Sequence, residues 1–218
     1  MVALSQSPRA LKGGFVMMDG DGKAVIRTIV FQFNPDSLTR RLTPAGAQSG
    51  ADGAAALRLT GPPQETLTFE IELDATDSSV APGGPVLAPG EEGITADLAL
   101  LEVLISPKVD DMVAGHEMAM RGALEILPLP SPLVLLVLGP NRVLPVRITD
   151  VSVTEEAFDT NLDPIRARLS IGTSVLTVDD LAWGTKGAEL YMAALARREK
   201  RAEGKGGALS ALGLSGTP

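Results

Sequence analysis

Alternating aspartates near the start of the chain are the first residues whose spacing could do chemistry. Asp19-Gly20-Asp21-Gly22 has part of the pattern of a calcium loop, because alternating carboxylates can converge on a hard cation. Such a loop needs glycine at its sixth position and a bidentate glutamate at its twelfth, whereas Gly22 is followed by Lys23, Ala24 and a predicted strand. The stretch is therefore interpreted as a hairpin turn.

Paired acidic residues could act as a general acid and a general base. The pairs are Asp110-Asp111, Glu91-Glu92 and Glu155-Glu156, the last with Asp159 nearby. A two-acid mechanism needs carboxylates that a rigid frame holds several ångströms apart across a substrate. Adjacent loop residues do not provide that separation. The first two pairs are interpreted as solvated charge and the third as part of a turn at a strand end.

His116 is the single histidine of the chain and the candidate general base, with Glu117 beside it and Asp111 nearby. No serine lies in a nucleophile-elbow context and the chain has no cysteine, so a nucleophile to pair with His116 is missing. The 23 glycines do not form a phosphate-binding pattern between a strand and a helix. The sequence therefore predicts no catalytic, cofactor-binding or metal-binding residue, and a protein that is not an enzyme.

Composition narrows the choice of partners. The chain has 218 residues, with 19 Lys and Arg against 27 Asp and Glu, and the net charge of −8 argues against a nucleic-acid partner. Met1 to Gly14 lacks the apolar run of a signal peptide, and Leu133 to Leu138 is too short to span a bilayer. We therefore expect synthesis in the cytoplasm, no membrane insertion, and binding to other proteins.

Two segments show the two-residue alternation of half-buried strands. In Thr66 to Leu73 the apolar positions are Leu67, Phe69, Ile71 and Leu73, and Glu70 and Glu72 make the other face acidic. In Ile165 to Ile171 the apolar positions are Ile165, Ala167, Leu169 and Ile171, and Arg166 and Arg168 make the other face basic. Because opposite charges on neighbouring strands attract, we hypothesise that these two strands pair.

Further strands surround three turns. Phe15 to Met18 and Val25 to Phe33 form a predicted hairpin around the Asp19 to Gly22 turn, and Ser37 to Leu42 returns after Asn34-Pro35-Asp36. Leu133 to Leu138 is predicted to be buried on both faces and to turn at Gly139 to Arg142 into Val143 to Thr154. The apolar parity of that arm changes between Ile148 and Val151, which predicts a bulge near Asp150. Pro145 predicts that the arm starts at an edge or a bend.

One helix is predicted over Thr95 to Ser106, with Thr95 as N-cap and Asp97 in the first turn. Its apolar side comprises Leu98, Leu101, Leu104 and Ile105, and Pro107 ends it. Asp111 to Leu127 is compatible with a second helix or with a mobile excursion. Ala45 to Ala56 and Ala75 to Gly93 are predicted to be long exposed loops or disorder.

The composition changes after Val178, so we divide the chain into a β domain, residues 1–178, and a tail, residues 179–218. Gly187 to Arg201 is a predicted helix with Leu190, Tyr191 and Leu195 on an apolar stripe, and Gly204 to Pro218 is predicted to be disordered. The basic run from Arg197 to Lys205 has two interpretations. It caps the end of the helix, or it docks on an acidic neighbour.

Several motifs resemble the tube-domain family of contractile injection systems, which are phage-tail-like particles. Phe31 to Leu38, with its aromatic-Asn-Pro turn, and Gly61 to Phe69 resemble two strands of that family. The helix Ala96 to Ile105, the strand Pro132 to Leu138 and the segment Val146 to Ile171 follow in the family's order. The last segment contains Phe158-Asp159 and the run Asp163 to Leu169. The resemblance covers roughly Gly13 to Val178.

The resemblance implies an antiparallel β-sandwich or barrel of the tail-tube type with one flanking helix and, here, a C-terminal helical tail. It also implies a sixfold ring at the baseplate end of the inner tube, where a tube initiator joins the spike to the first tube layer. The implied partners are copies of the chain, the spike protein, the inner-tube protein and baseplate or sheath proteins. The particle would act inside its producer or after release.

The chain departs from the family in two respects. Relatives often continue into a LysM domain, whereas this chain ends in the predicted helix and tail, so wall binding is not inferred. The stretches 75–93 and 110–127 have no assigned counterpart. Three alternatives stay open: an ordinary inner-tube subunit, a small-molecule-binding β-barrel, and a hydrolase that uses His116.

Overall fold

A computed structural model describes residues 11–46, 58–76, 93–122, 131–213 and 215. Seven strands and three α-helices are found in these residues, with a short 3₁₀ helix near the C-terminus. The strands are β1 (Gly14–Met18), β2 (Val25–Val30), β3 (Leu38–Thr43), β4 (Gln64–Asp74), β5 (Leu133–Val137), β6 (Val143–Phe158) and β7 (Pro164–Val175). The helices are α1 (Thr95–Glu102), α2 (Val109–Met120), α3 (Lys186–Ala202) and the 3₁₀ helix Leu209–Leu212.

All seven strands belong to one sheet in the order β2-β1-β5-β6-β7-β4-β3, and every neighbouring pair is antiparallel. The predicted mainly-β, antiparallel fold with a flanking helix and a C-terminal helix is confirmed, and α2 is added to it. The predicted strand after the Asn-Pro turn is β3. It pairs with β4 at the far edge of the sheet, and β2 lies at the opposite edge.

The sheet folds over on itself at the long strand β6. Its first residues pair with β5, and from Val146 onward it pairs with β7. The register shifts between Ile148 and Asp150, so the predicted bulge near Asp150 is confirmed, and bulges of this kind bend and twist a strand. Pro145 lies in the first part of β6, which pairs with β5 alone because the ladder with β7 begins at Val146, so the predicted edge or bend at the start of this arm is confirmed. The Pro145 carbonyl accepts a hydrogen bond from the Leu176 amide, where pairing with β7 ends.

Three phenylalanines from the two halves of the folded sheet meet in the core. The ring centroid of Phe69, on β4, lies 6.3 Å from that of Phe15, on β1, and 5.8 Å from that of Phe31. Phe15 and Phe31 make an edge-to-face contact at 5.4 Å. Since β1 and β4 are four strands apart in the sheet, these contacts require the two halves to pack face to face.

The predicted alternation in β4 and β7 is confirmed by burial. The four apolar residues of β4 are at most 2% exposed, and Ala167, Leu169 and Ile171 of β7 are equally buried, while Ile165 is half-buried. The hypothesised pairing of the two strands is also confirmed. Arg166 contacts Asp74 at 2.6 Å and Arg168 contacts Glu72 at 3.3 Å on the outward face.

Helix α1 differs from its prediction at both ends. Ile94 is the N-cap, without a side-chain capping bond, so the prediction of Thr95 is wrong. The buried Ile94 instead donates its amide to the Pro164 carbonyl at 2.9 Å, which ties the start of the helix to β7. The helix ends at Glu102 and Ile105 is 51% exposed, although Leu98, Leu101 and Leu104 are buried as predicted.

The two later helices differ in how they pack. Asp111 to Leu127 was open between a second helix and a mobile excursion, and it is helical as far as Met120, in α2. None of the residues of α2 is buried. Helix α3 has Thr185 as N-cap, whose hydroxyl accepts a hydrogen bond from the Ala188 amide, and it buries Gly187, Ala188, Tyr191 and Ala194. Leu190 and Leu195 of the predicted stripe are half-buried.

Some predicted loops cannot be compared with the structure. Residues 47–57, 77–92 and 123–130, which contain most of both long loops and the end of the 110–127 stretch, lie outside the described residues. So do positions 1–10, 214 and 216–218. The prediction of disorder from Gly204 onward is wrong at Leu209–Leu212, where local i→i+3 bonds form an exposed 3₁₀ turn.

Gly14 marks a close approach between β1 and β2. A Cβ atom at this position would lie 2.2 Å from the carbonyl oxygen of Ile29, which is held in the ladder. We expect Gly14→Ala to lower the free energy of unfolding by about 1–3 kcal/mol, because a backbone atom must move. Urea denaturation measures this loss. Gly20→Ala, with no atom within 4 Å of the added Cβ, is the control, and equal losses in both variants would contradict the argument.

Candidate assembly surfaces

The Asp19 to Gly22 stretch is the turn of the β1–β2 hairpin, as predicted. The Asp19 carboxylate accepts hydrogen bonds from the amides of Lys23, at 2.6 Å, and Ala24, at 3.1 Å. Asp21 contacts the Lys23 ammonium at 3.0 Å. Both carboxylates therefore organise the turn. In the part of the chain that the structure describes, no three His, Cys, Asp or Glu residues are grouped so that they could hold a metal ion.

The other candidate acidic pairs lie on different elements of the fold. Asp110 and Asp111 lie in the first turn of α2, and His116 is exposed on the same helix. Glu155 and Glu156 lie within the last part of strand β6, so their interpretation as part of a turn is wrong, and Glu156 contacts Arg168 at 3.4 Å. Asp159 accepts hydrogen bonds from two amides of the turn between β6 and β7, as predicted for a turn residue. Glu91 and Glu92 lie outside the described residues. Within the helices that are described, none is long and apolar enough to cross a membrane.

Four strands present a hydrophilic outward surface, which we call the polar sheet face. It contains the residues that alternate with the core positions of β3, β4, β7 and β6. They are Thr39, Arg41, Thr66, Thr68, Glu70, Glu72, Arg166, Arg168, Ser170, Ser174, Ser152 and Thr154. Hydroxyl groups and paired charges dominate this face, so it is suited to contact with water.

The sheet has two unlike edges. Among the described residues, β2 pairs with β1 alone and β3 pairs with β4 alone. Val25 and Ile26 on β2 are 58% and 51% exposed, whereas β3 carries Arg40 and Arg41. An edge strand offers unpaired backbone donors and acceptors that can bind a further strand.

Glu65 is a buried carboxylate surrounded by arginines. Its side chain is 2% exposed, and its Oε1 lies 2.6 Å from Arg40 Nε, while its Oε2 lies 2.8 Å from Arg198 Nη1. Arg142 lies near these groups. Burial lowers the pKa of Arg142, and repulsion from Arg40 and Arg198 lowers it further. This group, the Glu65 cluster, joins β4, the edge strand β3 and helix α3.

Two sequence patterns indicate the Glu65 cluster. Continuing the alternation of β4 backward from Leu67 places Glu65 on the inward face. On α3, Arg198 follows Tyr191 and Ala194 at helical spacing, so it lies on the buried stripe. Neither interpretation of the basic run therefore describes Arg198, which binds within the chain. Arg197, Lys200 and Arg201 are exposed.

Asp97, which was predicted only as an acidic residue of the first helical turn, is a second buried acid. It lies four residues before Leu101, on the buried side of α1, and is 4% exposed. Burial raises the pKa of its carboxyl from 3.8 to about 6. The folded chain therefore holds this proton to a higher pH than the unfolded chain does.

This pKa shift has a definite sign for stability. Below about pH 4 both states are protonated, and as the pH rises to about 6 the unfolded state gains stability by releasing its proton. We expect Asp97→Asn to raise the free energy of unfolding at pH 7 by about 1–3 kcal/mol. In urea denaturation between pH 4 and pH 7, the free energy of unfolding should fall less steeply with pH in the variant than in the wild type. Glu102→Gln, exposed on the same helix, should leave the wild-type profile unchanged.

Comparisons with known proteins find likeness among solved structures only. No protein-family model matches the chain, and no curated protein matches it. Among solved structures, the chain is similar to one from the tail of an empty GTA particle with C6 symmetry, with 11% identity and a TM-score of 0.29. The aligned part covers 79% of this chain and 95% of that chain.

Proposed function

We propose that the chain is a non-enzymatic structural subunit of a contractile, phage-tail-like particle. In this proposal it forms a sixfold ring at the baseplate end of the inner tube and joins the spike to the first tube layer. The observation that carries the proposal is the pair of unlike edge strands, β2 and β3, each of which pairs with a single neighbour among the described residues.

Unlike edges favour a ring over a twofold dimer. When β2 of one copy meets β3 of the next, the contact is heterologous, and it closes into a ring if the rotation between copies allows. Each of the seven strands is antiparallel to its neighbours, so the first and last strands of the sheet, β2 and β3, point in the same direction. The junction between copies would therefore be a parallel ladder. Edge pairing would extend the polar sheet face from copy to copy.

The motif resemblance supports the finer assignment to the baseplate hub or tube initiator. Its partners in that role are the spike protein, the inner-tube protein and baseplate or sheath proteins. Residues 1–178 would build the ring and residues 179–218 would be an appendage, with the Glu65 cluster attaching α3 to the sheet. The protein would be made in the cytoplasm and incorporated into a particle that is retained or released.

Electron microscopy of the purified protein, alone and with its spike partner, tests this function. We expect sixfold rings that bind the spike. Long tubes formed by the protein alone would favour an ordinary inner-tube subunit. A protein that stays monomeric with its spike and tube partners present would contradict the proposal, and a ligand-dependent rise in melting temperature in that monomer would favour a small-molecule-binding barrel.

An edge variant makes the same test specific. Lysine on an edge strand opposes further strand pairing, so Ile26→Lys on β2 should prevent ring formation. Val113→Lys on α2 is the matched control, because both residues are 51% exposed and Val113 belongs to a helix with no buried residue, not to an edge strand. Loss of rings in both variants would show that edge pairing is not the cause.

A further inference from the structure

The Glu65 cluster holds more positive than negative charge. Arg40 reaches it from β3, Arg142 from the turn before β6 and Arg198 from α3, while Glu65 supplies a carboxylate. Arg198 uses both of its Nη atoms on that carboxylate, at 2.8 Å and 3.2 Å, and Arg40 uses its Nε at 2.6 Å. Three guanidinium groups therefore meet one carboxylate, and the positive charge of the cluster is only partly balanced.

Arg142 is the member of the cluster without a bonded partner. In the part of the chain that the structure describes, its side chain makes no hydrogen bond and no ion pair, although it is half-buried. A cation that is partly removed from water among like charges is costly unless an acceptor offsets the loss. The five N–H donors of this guanidinium are therefore available to a further acceptor.

The next acids toward the cluster do not fill that role. Asp179 and Asp180 are near enough for their charges to act on Tyr191, on the buried side of α3. The Asp180 carboxylate accepts hydrogen bonds from the amide and hydroxyl of Thr177, at 2.9 Å and 3.0 Å. Among the described residues, neither aspartate forms an ion pair with an arginine of the cluster. An acceptor for Arg142 must come from elsewhere.

Burial gives the cluster two layers. Glu65 lies beneath with 2% of its side chain exposed, whereas the side chains of Arg40 and Arg198 are 34% and 31% exposed. The part of the cluster that solvent reaches therefore consists of guanidinium groups. Within the described residues, the Nη atoms of Arg40 make no hydrogen bond, so they add free donors beside those of Arg142.

We propose that the Glu65 cluster is a binding site for an oxyanion, a carboxylate or a phosphate group, which Arg40 and Arg142 hold at the protein surface. Planar guanidinium groups match the paired oxygens of carboxylates and phosphates, and these charge-assisted hydrogen bonds are stronger than neutral ones. Glu65 holds Arg40 and Arg198 in position from beneath. The inference goes beyond the proposed function and does not depend on whether the chain forms a ring.

Titration calorimetry of the full-length chain with inorganic phosphate tests the site. At pH 7 and about 0.15 M NaCl, we expect saturable binding with a Kd below about 1 mM. Sodium chloride added to the same ionic strength is the control for screening, and it should give no saturable signal. Phosphate binding that does not saturate would overturn the proposal.

Arg142→Gln tests whether the cluster is the site. We expect phosphate affinity to fall by about tenfold or more. Because a repelling charge is removed, the phosphate-free variant should unfold at no lower urea concentration than the wild type. Arg197→Gln is the matched control, since it removes the same charge from an exposed position beside Arg198 on α3 and should leave the affinity unchanged. Equal weakening in both variants would overturn the proposal.

Sedimentation velocity distinguishes the two sources of the oxyanion. Arg40 lies on the edge strand β3, so a carboxylate of a second copy is one source and free phosphate is the other. Phosphate that reduces self-association of the wild type, but not of Arg142→Gln, would identify the carboxylate of a second copy. Phosphate that binds without changing association would identify a free phosphate group. Both results support the site and differ only in its occupant.

Discussion

Glu65→Gln is expected to lower the free energy of unfolding by about 3–5 kcal/mol, as measured by urea denaturation at pH 7. The change keeps the size of the side chain and removes its charge. Arg40, Arg198 and Arg142 then repel one another, because the buried carboxylate that offsets their repulsion is gone. Removing one partner of a buried ion pair is costly because the remaining charges stay partly desolvated.

Glu72→Gln on the same strand is the matched control for that experiment. Glu72 pairs with Arg168 at 3.3 Å, but its side chain is 59% exposed and water screens the pair. We expect a loss of at most about 1 kcal/mol. Comparable losses in the two variants would show that burial of Glu65 does not determine the effect. Loss of helix signal from α3 in Glu65→Gln would further indicate that the cluster attaches this helix.

Phe69→Ala is expected to lower the free energy of unfolding by about 3–5 kcal/mol, because it leaves a cavity between the two halves of the sheet. Phe69 is 2% exposed and contacts the rings of both Phe15 and Phe31. The same denaturation experiment measures the loss. The cooperativity of unfolding should also fall if the halves separate.

Phe158→Ala is the control for Phe69, since it removes the same ring from a position that is 47% exposed. We expect a change within about 1 kcal/mol. A small effect at Phe69 would contradict the conclusion that the aromatic cluster joins the two halves. It would leave the pairing of β4 with β7 unaffected, because that pairing depends on the ladder and on outward ion pairs.

Several of these features could be predicted without the structure because they depend on neighbours in the chain. Side chains on a strand alternate between faces, so Leu67 to Leu73 identified both the strand and its buried face. The change in parity in β6 located the bulge near Asp150 in the same way. The acidic and basic faces of β4 and β7 also predicted their pairing correctly, because only one face of each strand was free to carry charge.

Other features were missed because they depend on what packs against a residue. Thr95 has a suitable capping side chain, yet the N-cap of α1 is the preceding residue, Ile94, whose amide donates a hydrogen bond to the Pro164 carbonyl. Asp97 is likewise buried only in the folded chain, and that burial raises the pKa of its carboxyl. The local sequence pattern of α1 does not indicate which strand contacts the start of the helix.

By itself, the sequence determined where strands and turns lie and, for β4 and β7, which face is buried, since these follow from the two-residue period and from turn residues. Tertiary structure alone decided that β3 pairs with β4, that the sheet folds over at β6, and that Arg198 meets Glu65, 133 residues away in the chain. The local period of apolar residues indicates that one face of a strand or helix must be buried. Which distant element covers it depends on packing and charge across the whole fold.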